Sequence, residues 1–236
     1  MVTAETLAAF CAWLRENANS QSIPAIVRFE EEVCDSLEYS ALKKAADTQV
    51  VQQKYSKGTY LTGVCGYYYP SDIRIAVTDN VKRGRLVREN KLDASDYIYE
   101  YDGDGHLLRI LCPNMNVATY RIALGPVVLF IGYHGYLVTE QPTPEHILIA
   151  SYDDESHLQA MIQDYWYVDR YTGEKLGHTI DLEIYHNIST LLCTMTEYFS
   201  DPNRAEDETA YYTYLIGKYV FSYEGNKIAR WYRVKE

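Results

Sequence analysis

The stretch YIYEYDGDGHLLRIL, residues 97–111, decides the fold class. Tyr97, Tyr99 and Tyr101 alternate with Ile98 and Glu100, so on a pleated strand the tyrosines share one face and Glu100 lies on the other. Asp102-Gly103-Asp104-Gly105 follows, the residue types that accept the left-handed backbone angles of a tight reversal. Leu107 to Leu111 then runs back antiparallel. An aromatic strand, a Tyr-acidic corner and a second strand make one hairpin.

The same outline returns along the chain. Corners are read at Tyr133-His134-Gly135, Tyr152-Asp153-Asp154 and Tyr171-Thr172-Gly173, equally spaced, and again at Tyr223-Glu224-Gly225. The last of these sits in KYVFSYEGNKIARWYRV, residues 218–234, with Tyr219, Phe221 and Tyr223 on one face of its first arm; the second arm alternates Ile228, Arg230, Tyr232 and Val234 with Ala229 and Trp231. Residues 117–124 alternate in the same way, and VVLFI at 127–131 is apolar on both faces, as a central strand is. HTIDLEIY at 178–185 sets Ile180, Leu182 and Ile184 against Thr179, Asp181 and Glu183, which predicts one wet face. TYLTGVCGYYY (59–69) and IRIAV (73–77) also read as strands, separated by Pro70, and KRGRLVR (82–88) as a solvated hairpin flank. DPNRAEDET, residues 201–209, reads as a loop.

The N-terminus has a different period. Ala4, Leu7, Ala8, Cys11 and Leu14 recur at helical spacing behind a Thr3 cap, and Pro24 opens a second helix with Ile26, Phe29, Val33 and Leu37 on one face, extending to about Ala46. The expectation is a mainly β (α+β) protein: an antiparallel meander of repeated Tyr-rich hairpins with two N-terminal helices packed against it. Residues 1–57 form the helical segment and 58–236 the hairpin repeats, together one compact unit.

Composition agrees. The chain has 24 tyrosines in 236 residues against 13 glycines and 7 prolines, and tyrosine suits half-buried sheet surfaces because its ring packs while its hydroxyl stays wet. The charge of -11, from 22 basic and 33 acidic residues, repels nucleic acid and anionic membranes and favours a basic partner. Five cysteines are an odd number without a CxxC pair, which suits a reducing compartment and small buried side chains. The first residues lack a basic leader, so a cytoplasmic location is expected. The longest apolar run, residues 125–138, is broken by Gly132, His134 and Gly135 and is too short for a membrane helix.

The motif Tyr99-x-Tyr101-Asp102-x-x-Gly105-x-Leu107 resembles the YD repeat of Rhs-type proteins, whose units are β-hairpins wound into a curved sheet. At Tyr152-Asp153 the glycine is missing, and Tyr171 and Tyr223 lack the aspartate. Tyr-rich segments such as GYYYPSD are also similar to the aromatic repeats of choline- and glucan-binding modules, which are surface proteins. Neither resemblance brings catalytic residues. In the Rhs neighbourhood a short, acidic chain implies an immunity protein rather than a toxin.

Catalytic patterns are thin. Glu100, Asp102 and Asp104 with Gly105 begin like a calcium loop, but Leu111 stands where the bidentate Glu belongs. The six histidines include no HxH or HExxH. Cys112 with His134 and the acidic-aromatic run Asp164-Tyr165-Trp166-Tyr167 with Glu183 supply residue types for nucleophilic or glycosidic chemistry without a placing motif. No catalytic residue, metal or cofactor is assigned. The expected function is a non-enzymatic module that binds a basic protein, in particular an immunity protein neutralising a basic toxin domain. The alternatives are a carbohydrate-binding aromatic module and an enzyme whose site is assembled from distant residues. The candidate binding residues are Tyr97, Tyr99, Tyr101, Asp102, Asp104, Tyr165, Trp166, Tyr167, Tyr223 and Trp231.

Overall fold

Alternation with period two is realised nearly everywhere it occurs downstream of residue 97. A computed structural model describes residues 2–57, 66–77, 85–88, 97–168, 175–187, 191–200, 212–224 and 227–234. Three helices come first, α1 (Ala4–Asn17), α2 (Ile23–Asp35) and α3 (Tyr39–Gln49), followed by strand β1 (Gln52–Lys57), a short helix α4 (Asp72–Val77) and strand β2 (Arg85–Val87). Ten strands then run to the end: β3 (Ile98–Tyr101), β4 (Leu107–Cys112), β5 (Val117–Leu124), β6 (Val127–His134), β7 (Thr143–Tyr152), β8 (Leu158–Val168), β9 (Lys175–Asn187), β10 (Leu191–Ser200), β11 (Tyr212–Glu224) and β12 (Lys227–Arg233).

All twelve strands belong to one sheet in the order β12-β11-β10-β9-β8-β7-β6-β5-β4-β3-β1-β2, and every pairing is antiparallel. From β3 to β12 it is a pure meander. The expected mainly antiparallel β fold with helices at the N-terminus is therefore the fold of the protein. The strand at 52–57 joins the sheet beside β3, so helical segment and hairpins share one hydrogen-bonded framework.

One sheet face carries the helices. Leu7, Phe10, Cys11 and Leu14 of α1 and Ile23, Ile26 and Val33 of α2 pack on Val127, Leu129, Ile147, Ile149, Ile162, Trp166 and the isoleucine-leucine row of β9. Each such aliphatic side chain contributes about 1.5–3 kcal/mol by leaving water. Thr3 caps α1 as expected, accepting from Thr6 N at 3.2 Å while Thr6 Oγ1 accepts from Thr3 N at 2.9 Å. The second helix does not run unbroken to Ala46. Ser36 stops it by donating its hydroxyl to Val33 O at 2.8 Å, and α3 then turns Tyr39 and Leu42 onto Tyr120 and Tyr133. Arg109 fixes α3 to the sheet, pairing with Asp47 at 2.7 Å and with Glu100.

The other face is the inside of a curve. Segment 66–77 touches β3 through Tyr67 N and Tyr99 Oη at 2.9 Å, reaches β9 through Arg74, and lies against β12. In a flat sheet β3 and β12 would stand about 43 Å apart at the usual strand spacing, too far for two short helical turns. The sheet therefore curls around this segment. Here the strand expected at IRIAV is corrected: residues 72–77 are helical, with Ser71 Oγ capping Arg74 N at 2.9 Å and Ile73 buried among the tyrosines. The alternation of Ile73 and Ile75 serves a strand only beside a free sheet edge, and the cap decides otherwise. Gly66–Tyr68 is likewise a 3-10 turn rather than strand, and residues 59–65 and the loop 201–209 lie outside the described residues. Among the described residues no helix is long and apolar enough to cross a membrane.

Candidate functional site

Two corners of the meander have the same construction. In the first, Asp102 Oδ1 accepts from Asp104 N at 3.0 Å and His106 N at 2.8 Å; in the second, Asp153 Oδ1 accepts from Glu155 N at 3.0 Å and His157 N at 2.8 Å. The backbones match as well, Asp102 N donating to His106 O and Asp153 N to His157 O, each at 3.0 Å. Tyr101 faces Leu107 and Tyr152 faces Leu158, each just past a bulge in the strand. The position taken by Gly105 at φ 84° is taken by Ser156 at φ 64°. The second copy thus keeps the corner without the glycine that sequence reasoning looked for. The signal was Tyr-Asp-x-x-Gly/Ser-His-Leu at 101–107 and 152–158, in which histidine and leucine hold register as firmly as the tyrosine.

Because the sheet is a meander, the turns after β3, β5 and β7 and the C-terminal end of β11 fall at one end of the strands. Asp104, Asp154, Glu155 and Glu224 are exposed there, and Asp102 and Asp153 are half-buried. The rim is accordingly acidic. The peptide N–H groups of His106 and Asp104, together with the His106 ring, hold the Asp102 carboxyl below its ordinary range, so it stays ionised. Asp102, Asp104 and His106 offer ligand atoms within 4.8 Å of one another and could approach a cation, but Asp102 is already engaged by His106 and its own turn.

The candidate tyrosines lie elsewhere. Tyr97, Tyr99 and Tyr101 are buried inside the curve, where Tyr101 and Tyr68 share a hydroxyl contact of 2.8 Å. Trp166 is buried under the helices, and Tyr165 is half-buried with its hydroxyl on Glu145 at 2.5 Å. Trp231 is exposed on the edge strand β12; the side chains of Tyr167 on β8 and Tyr223 on β11 lie outside the described residues. The ten residues are thus not brought into one surface: Asp102 and Asp104 stand at the rim, and the described aromatic members are distributed over the interior and an edge.

Two interior clusters escaped sequence reasoning. The face of β9 expected to be wet is buried instead. Asp181 takes a double contact from Arg74, at 2.7 and 2.8 Å, and Glu183, fully buried, lies 3.9 Å from the same guanidinium and accepts from Tyr185 at 2.8 Å. Burial raises the Glu183 pKa, with Arg74, Ser71 and Tyr185 pulling the other way; burial also opposes the Arg74 charge, but Tyr69, Asp181 and Glu183 outweigh it and hold the guanidinium protonated. The second cluster centres on His146, whose ring lies over Gly132 and meets Thr119 Oγ1 at 3.1 Å. Burial alone depresses its pKa to about 3. Cys112 and His146 border the same narrow cleft, with Tyr165 and Met115, whereas the sequence had offered His134 as the partner. Cys11 is buried, and burial pushes its thiol up to about 11. That is the behaviour of a packed side chain rather than a nucleophile.

Compared with known proteins, the chain matches no family model, no curated protein and no solved structure.

Proposed function

We propose that the protein is a non-catalytic binding module whose acidic rim docks a basic protein partner. The observation that carries this reading is that Asp102, Asp104, Asp153, Asp154 and Glu155 on two hairpin corners, with Glu224 at the end of β11, lie at one end of a single hydrogen-bonded sheet. Corners locked by their own backbone hydrogen bonds present charge with little left to order on binding, and a one-sign rim accelerates encounter with a cationic surface. The chain's net charge of -11 acts in the same direction at long range. Within this class the particular role proposed is that of an immunity protein that neutralises a basic toxin domain in the cytoplasm, in keeping with the YD-like corners at 99–107 and 152–158.

The test compares the parent with the variant Asp104→Lys/Asp154→Lys/Glu155→Lys in affinity purification from the native host at low and high salt. The parent is expected to retain a basic protein at low salt and release it as salt rises, and the charge-reversed variant to retain none. Recovery of the same partner by both proteins, or of no protein partner even at low salt, refutes the reading.

A further inference from the structure

The inside of the curve opens at the acidic rim into a cleft of about 600 Å³, within the range of small-molecule sites. Val128 and Phe130 of β6 supply an apolar floor, and Tyr68 and Tyr152 stand at its sides. Arg121 of β5, directly across the ladder from Phe130, brings the charge.

Among the described residues this arginine differs from the two others that are half-buried, Arg74 and Arg109. Arg74 meets Asp181 and Glu183, and Arg109 meets Glu100 and Asp47. Among the described residues the Arg121 side chain has no carboxylate within ion-pair distance and no hydrogen bond. In a chain with 33 acidic residues, a half-buried guanidinium beside aromatic rings and without a carboxylate is a vacant anion partner. Asp153, also on the lip, is engaged by its own corner and by Gln159 Nε2 at 3.0 Å, and Asp154 is exposed to solvent, where its repulsion is screened.

A second donor faces the same space. Of the two hydroxyls that meet at 2.8 Å, Tyr101 is buried and Tyr68 borders the cleft. If Tyr68 donated, the Tyr101 proton would be stranded in the interior at a cost of about 1–3 kcal/mol. Tyr101 therefore donates, and the Tyr68 proton is left for a ligand.

We infer that this cleft is a binding site for a small organic oxyanion, a carboxylate or phosphate on a flat apolar body, with Arg121 and the Tyr68 hydroxyl taking the anion and Phe130, Val128 and Tyr152 taking the body. The site adjoins the outer rim and shares Asp153 and Asp154 with it, but its anion contacts come from Arg121 and Tyr68, which the protein-docking role does not use. Its recognition needs both halves: the charge alone is too exposed, and the apolar floor alone gives no orientation.

The test uses four probes with the full chain: benzoate, phenyl phosphate, benzamide and inorganic phosphate, followed by calorimetry and by amide shifts in two-dimensional NMR. Benzoate or phenyl phosphate is expected to bind saturably with a Kd of about 1 mM, shifting residues 68, 121, 128–130 and 152. Benzamide and inorganic phosphate are each expected to bind at least tenfold more weakly, and Arg121→Gln is expected to weaken the aromatic anion at least tenfold while melting as the parent does. The inference is overturned if neither aromatic anion binds, if benzamide matches benzoate, if inorganic phosphate matches phenyl phosphate, or if Arg121→Gln binds as the parent does. The comparison among probes on the parent keeps the test decisive even if the variant is poorly folded.

Discussion

Lowering the pH from 8 to 5 is expected to remove about 2 kcal/mol of stability through His146 alone. The ring is buried, its polar contact is the Thr119 hydroxyl, and Tyr165 stacks beside it with ring centroids 6.3 Å apart. Burial depresses its pKa from 6.5 to about 3 in the folded chain, while the unfolded chain titrates near 6.5. Between those values the unfolded state takes up a proton that the folded state refuses, so this contribution is complete above pH 6.5 and falls by about 1.4 kcal/mol per pH unit as the pH drops toward 3. At pH 5 the loss is the 1.5 units below 6.5, or about 2 kcal/mol. The assay is urea unfolding of the parent and of His146→Gln, which cannot charge, at pH 8 and at pH 5. Other groups also titrate in this window, so the quantity to read is the difference between the two proteins in their loss from pH 8 to pH 5. A difference near 2 kcal/mol is expected; equal losses would refute the assignment of a neutral, buried imidazole.

Ser156→Gly relieves a left-handed serine in the second corner and is expected to stabilise by about 0.5 kcal/mol after glycine's entropic cost, raising Tm by about 1–2 °C; a lower Tm would show that the serine side chain holds the turn. Gly132→Ala places a Cβ within 1.9 Å of the His146 ring, so a loss of at least about 2 kcal/mol is expected in urea unfolding, partly restored by adding His146→Ala. Arg74→Met leaves Asp181 and Glu183 without their shared cation in a buried site, costing about 3–5 kcal/mol. Arg74→Met/Asp181→Leu should cost less than the single change, and a larger cost would mean that packing dominates there.

The features most legible in the sequence were those with short-range causes. Tyr97, Tyr99 and Tyr101 do share one face with Glu100 on the other, since the pleat alternates whatever lies around it. Val127 to Ile131 is a central strand because a run apolar on both sides needs cover on both faces, and it has helices on one face and the inside of the curve on the other. The corner at 101–107 was readable from its turn chemistry, but its twin at 152–158 was only half seen, because Ser156 adopts a conformation usually reserved for glycine. The rim itself is a consequence of the meander: Asp104 and Asp154 lie at the same end only because an even number of strand reversals separates them.

What remained hidden required knowing which face was inside. Asp181 and Glu183 alternate with Ile180, Leu182 and Ile184 as a wet face does, and no local rule distinguishes that pattern from a buried polar one. Their surroundings are set by Arg74, which lies 107 residues away from Asp181 in the chain and arrives only because the sheet curls around segment 66–77. Arg121 is ordinary in the sequence and becomes notable only when Tyr68 and Tyr152 stand beside it with no carboxylate in ion-pair distance among the described residues. The sequence alone determined the alternation of the strands around residues 97–111 and 117–131 and the acidic turn at 102–105, because periodicity and turn residues act over a few bonds. The tertiary structure alone decided which face is buried, which charges meet and where a cleft opens, because those depend on curvature and on contacts between residues far apart in the chain.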